Sequence, residues 1–245
     1  MKKPLFPSQK YALDIYNSLV KLYPDPTTAL DFETPWQLLV AVILSAQCTD
    51  VLVNKVTKVF FKTYPDFQSI LDSPLEEVTH ALKQINYFKT KAKNIYQDAQ
   101  IIKDWGGIVP TEMDKLLSLH GVGRKVANVV IHELGGEPQG FVVDTHVTRL
   151  SQRLGLSKNK DPKKIEQDLV KIYKKDQWRD VSHLLIFHGR AICKARNPLC
   201  EDCILNKICP SAFIAKLSSS STIDKSFVSN KRKSKNSNKD SQILQ

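Results

Sequence analysis

The sequence predicts an all-α fold, and three observations carry that prediction. Apolar residues recur at the 3.6-residue period of a helix along most of the chain, and Pro, Gly or Asp stands between most of those segments. Only residues 140–143 (GFVV) read as extended, and that run is short enough to be a connector. The 245 residues are 42% hydrophobic and 25% charged, enough for one large core or two smaller ones and unlike a disordered or disulfide-stapled chain.

Taken in order, the period places helices over 8–22, 35–48, 51–63, 75–84, 89–104, 112–119, 124–134, 145–154, 162–174 and 179–192. The second contains the uncharged run 36–49 (WQLLVAVILSAQCT), shorter than the roughly 18–20 apolar residues a bilayer span needs. It reads as a buried core helix, with Cys48 as a small hydrophobe inside it. Helix starts are marked by Ser73-Pro74, by Thr111 and Asp114 as a capping-box variant, and by Asp161 ahead of Pro162 at a first helical position. Asp144, at the end of the GFVV connector, has the place and chemistry of an N-cap. Residues 216–245, rich in Ser, Asn and Lys, read as a basic disordered tail.

Lys and Arg number 36 against 25 Asp and Glu, a formal charge of +11 that suits either a polyanionic partner or a merely basic surface. The segment 217–245 contributes six of those cations and two acids, so the rest of the chain keeps a surplus of seven. The beginning, MKKPLFPSQKY, has no apolar stretch behind its lysines, so neither a secretory signal nor a transit peptide is expected. A reducing, cytoplasmic compartment follows, with no membrane role.

Four of five cysteines fall in one segment, Cys193, Cys200, Cys203 and Cys209, spaced C-x6-C-x2-C-x5-C. An odd total without a secretion signal argues against a disulfide framework and for metal. Only one tight C-x2-C pair is present, whereas a structural zinc is usually held by two such knuckles. Unequal spacing favours four thiolates spread around a 4Fe–4S cluster, with zinc as the alternative.

Residues 116–130 (LLSLHGVGRKVANVV) read as helix, tight hairpin, helix. Gly121 and Gly123 let the backbone turn and approach a ligand, and the following helix presents unpaired N–H groups to an anion such as a DNA phosphate. Lys125 lies in that helix's first turn. It is either a plain phosphate contact or an amine whose ammonium form is disfavoured by the helix N-terminus and Arg124, hence a nucleophile. A carboxylate fixed at Asp144 could accept a proton or stabilise a developing cation.

The motifs LSAQCTD (44–50), KAKNI (91–95), LHGVGRKVANVV (119–130), VDTH (143–146), FHGR (187–190) and the four cysteines together resemble the endonuclease III family of helix-hairpin-helix DNA glycosylases, over approximately residues 8–212. The resemblance implies an all-α, two-domain fold: a six-helix domain at 28–138, and an iron–sulfur domain built from 1–27 plus 139–215. It implies a monomeric, bacterial-type, nucleoid-associated enzyme of base excision repair, acting on double-stranded DNA that carries a damaged base or an abasic site. Oxidised pyrimidines would be removed by Lys125 attacking C1′, with Asp144 assisting and β-elimination cutting 3′ to the lesion. Gln47 and Tyr87 would enter the stack vacated by the flipped nucleotide, and Arg124, Lys194 and Arg196 would meet phosphates. One 4Fe–4S cluster would sit on the four cysteines, with Arg190 beside it. Four positions depart from the family pattern. Tyr87 stands for leucine, Asn86 for a glycine in a place compatible with left-handed backbone, His120 for the hairpin proline, which leaves that turn less rigid, and Leu117 for an acidic residue.

Overall fold

A computed structural model of the chain describes residues 7–212, so the expected tail at 216–245 lies outside the described residues. The helices are α1 (Gln9–Leu22), α2 (Pro35–Ser45), α3 (Asp50–Thr63), α4 (Phe67–Leu71), α5 (Leu75–Ala81), α6 (Phe88–Asp104), α7 (Met113–Leu117), α8 (Arg124–Glu133), α9 (Thr145–Arg153), α10 (Pro162–Ile172) and α11 (Trp178–Ala191), the last entered through a 3-10 turn at Lys175–Gln177. No strand occurs among the described residues, and residues 140–143 are a connector. None of these helices is long and apolar enough to cross a membrane.

Burial divides into two apolar clusters. One is centred on α2, whose residues from Trp36 to Leu44 are all buried, and gathers side chains of α3 to α8. Each fully buried Leu, Ile or Val there contributes about 1.5–3 kcal/mol, which makes α2 the axis of this half. The other joins α1 to α9, α10 and α11 and ends on Leu205, so both ends of the described chain meet in it.

The clusters are tied by polar contacts. Arg124 of α8 donates from Nε and Nη2 to both carboxylate oxygens of Glu166 on α10, at 2.8–3.1 Å, and from Nη2 to the Gln139 carbonyl at 2.9 Å. At the other end of α8, Glu133 accepts from Thr27 Oγ1 at 3.0 Å and meets His183 Nε2 of α11 at 2.7 Å. Burial holds His132 down to about 4, with His183 adding to the effect, and its Nε2 faces the Gly140 carbonyl at 3.0 Å.

Several local expectations are corrected. Helix α2 stops at Ser45, so Cys48 lies past its end and is half-buried in a loop. Helix α4 was not anticipated: five residues are too few to show a period, and an Asp66–Ser69 capping box holds it. The N-cap positions of α5 and α7 are Pro74 and Glu112, neither with a side-chain cap bond, so neither Ser73 nor Thr111 caps. The caps at Asp161 and Asp144 are formed, accepting from Lys164 N at 3.0 Å and Val147 N at 2.8 Å.

Candidate active site

Lys125 and Asp144 arrive at one cleft from opposite cores. Gly123 caps α8 with no side-chain hydrogen bond, which leaves the helix N-terminus open, and Lys125 is the second residue of the helix, exposed. Asp144 caps α9 through one carboxylate oxygen, and the other is not used by that cap. Both side chains line the cleft together with Ser45, Asp50, His183 and Arg190.

The hairpin between α7 and α8 turns at Gly121, whose φ is +74°; a Cβ there would lie 2.7 Å from Asn94 Nδ2. Gly123 has φ −90°, and a Cβ on it would meet open space, so contrary to expectation neither the turn nor close packing requires glycine there. The turn is anchored without the proline. Asp98, fully buried on α6, accepts from His120 N at 2.8 Å and faces His120 Nδ1 at 2.9 Å. Leu117 is on the surface.

Gln47 and Tyr87 both have φ +57° and are both exposed, Tyr87 to 65%. The left-handed residue in the second loop is thus Tyr87, the N-cap of α6, and not Asn86 as expected from the glycine it replaces. Arg190, expected beside the cysteines, instead lines the cleft and donates from Nη2 to Asp50 at 2.6 Å. Arg124, expected at phosphates, is engaged by Glu166 and Gln139.

Cys193, Cys200, Cys203 and Cys209 ring one apolar pocket lined also by Leu150, Leu154 and Leu205. No group of three potential ligands among the described residues is placed to hold a single metal ion, while the four thiols share this one pocket. Burial pushes the Cys203 and Cys209 thiols up, and the neighbouring cysteines push the same way, a repulsion that bound iron relieves. Two arginines that sequence reasoning missed surround this site. Arg153 donates to Cys193 Sγ at 3.3 Å, to Lys194 O at 2.7 Å and to Ala195 O at 3.0 Å, and Arg149 donates to Cys193 O at 3.1 Å. Their helical spacing on α9 was visible, but nothing in it pointed to residues 40 positions away. Lys194 and Arg196 project from the loop so held, both exposed.

With this geometry established, residues 40–175 match the family model of HhH-GPD superfamily base excision DNA repair proteins, and residues 193–209 that of the iron–sulfur binding domain of endonuclease III. Endonuclease III of Synechocystis sp. is 49% identical over 202 residues, 82% of this chain and 92% of the relative. That of Bacillus subtilis is 45% identical over 190 residues, 77% of this chain and 86% of the relative. A solved non-covalent endonuclease III–DNA complex superposes with a TM-score of 0.80 at 38% identity, covering 86% of this chain and all of that one. Hairpin, cleft and cysteine pocket therefore define a helix-hairpin-helix DNA repair enzyme. More narrowly, the chain belongs to the endonuclease III family of base excision repair DNA glycosylases and AP lyases, with a 4Fe–4S cluster as its cofactor.

Proposed function

We propose that the protein removes oxidised pyrimidines from duplex DNA and cuts the strand 3′ to the resulting abasic site, using Lys125 as nucleophile and Asp144 as its electrostatic partner. The observation that carries this reading is the convergence of the two side chains, one from each core, on one cleft. The neutral Lys125 amine attacks C1′ of the flipped nucleotide; the glycosidic bond breaks, and its electron pair and a proton leave with the base. Asp144 stabilises the positive charge that develops on the sugar. Loss of the ring oxygen's bond to C1′ gives the Schiff base, and abstraction of a C2′ proton expels the 3′ phosphate. Flipping costs a few kcal/mol, and a damaged base lowers that cost.

In this reading Gln47 and Tyr87 fill the gap, the Gly121–Gly123 hairpin holds a backbone phosphate, and Lys194 and Arg196 grip others. Arg124 serves DNA binding through the hairpin it anchors. Cys193, Cys200, Cys203 and Cys209 hold the cluster, which supplies a covalent crosslink fixing the 193–209 loop. The two cores act as domains meeting near residues 27 and 138, in a monomer associated with cytoplasmic DNA. A duplex with a single thymine glycol tests the substrate class: we expect base loss with strand cleavage at neutral pH. Activity confined to adenine opposite oxidised guanine would overturn it.

A further inference from the structure

The loop carrying Gln47 is held by α6 and the residue just before it. Lys91 is buried, and its Nζ donates to the carbonyls of Leu44 at 2.8 Å and Ala46 at 2.6 Å, two groups left over where α2 ends. Cys48 N donates to Ser45 O at 3.1 Å. Asn86 Nδ2 donates to Gln47 O at 2.7 Å. Each carbonyl from Leu44 to Gln47 therefore accepts a hydrogen bond, and the Gln47 side chain alone projects into solvent from a left-handed backbone. Such a conformation is strained for a non-glycine residue and persists only where its surroundings over-determine it. Asn86 directly precedes Tyr87, the second left-handed, exposed residue.

We infer that Asn86 is a positioning residue that clips the two gap-filling loops into one unit, so that Gln47 and Tyr87 enter the DNA stack together. This rests on the gap-filling role proposed above. A glycine at position 86, the residue this position departs from, offers no such donor. The clip is thus a property of this chain, paired with a bulky aromatic wedge that must be aimed.

A double-mutant cycle on the full, cluster-loaded protein tests it. The readout is the ratio of Kd for an undamaged duplex to Kd for the same duplex bearing a tetrahydrofuran abasic analogue, with 2-aminopurine opposite the analogue reporting whether the partner base is unstacked. Asn86→Ala is expected to lower the ratio about fivefold, the size of one lost hydrogen bond, and to reduce the 2-aminopurine signal. The undamaged-duplex Kd and the thermal midpoint should stay unchanged. In a Gln47→Ala background, which keeps the main-chain carbonyl, Asn86→Ala should cost less than it does in wild type, because the part of its effect that runs through the Gln47 side chain is already gone. Additive losses, or an unchanged ratio in Asn86→Ala while Gln47→Ala lowers it, would overturn the clip. No loss in Gln47→Ala itself would instead sink the gap-filling role, and the clip with it.

Discussion

In the proposed reaction the Asp144 carboxylate does two jobs, capping α9 and stabilising charge, and two substitutions separate them. Its cap on α9 is a hydrogen bond that asparagine can also accept, whereas its charge at the cleft is one that asparagine lacks. Asp144→Asn should therefore unfold within a few tenths of a kcal/mol of wild type yet lose about 100-fold in single-turnover base excision. Asp144→Ala should lose both, with about 1 kcal/mol of stability gone in a thermal or urea melt. Lys125, Asp144 and the four cysteines could be singled out from sequence because their residue types and spacing stand out in the chain, and the structure brings the first two to one cleft and the cysteines to one pocket. Arg190 was misplaced, and the ion pair of Arg124 went unforeseen, because a cation's partner, Asp50 or Glu166, lies 140 or 42 residues away. The left-handed conformation went to Tyr87 rather than Asn86 because the Asn86 amide is wanted by Gln47.

At the scale of elements, α8, which carries the proposed nucleophile, is fastened at both ends. A Cβ on Gly140 would lie 1.7 Å from Glu166 Oε1 and 3.0 Å from Arg124 Nη2. Gly140→Ala must push Glu166 off Arg124, and a chemical melt should show a loss of about 1–3 kcal/mol. The other end carries pH dependence. The unfolded His132 takes up a proton near its ordinary pKa of 6.5, while the folded one, buried, does so only at about 4. Its neutral burial therefore contributes fully above pH 6.5, and that contribution falls as pH drops toward 4, by about 3 kcal/mol in all. In His132→Asn that fall is absent, so the wild type's lead over the variant should shrink between pH 7.5 and 5 in paired unfolding curves. Long helices with a clear period were legible to within one to three residues. Helix α4 was not, and the side-chain caps expected at α5 and α7 are absent, because short elements are fixed by what they pack on, here α6 and α8.

For the whole molecule, the proposed chemistry draws on both cores: each supplies one charged residue to the shared cleft. The surplus of basic residues supplies affinity that carries no sequence information. If Lys194 and Arg196 each meet a phosphate, replacing both by alanine should flatten the slope of log K against log salt for undamaged duplex by about 2. Amino-acid composition and charge suited either a polyanion or a merely basic surface and pointed to no enzyme; the sequence motifs did that. The most direct measurement of the central claim is reductive trapping. Incubated with an abasic-site duplex and borohydride, the protein should give a stable protein–DNA adduct whose peptide map places the link on Lys125, and Lys125→Gln should give none. Strand cleavage with no trapped adduct, or an adduct on another residue that survives in Lys125→Gln, would contradict it.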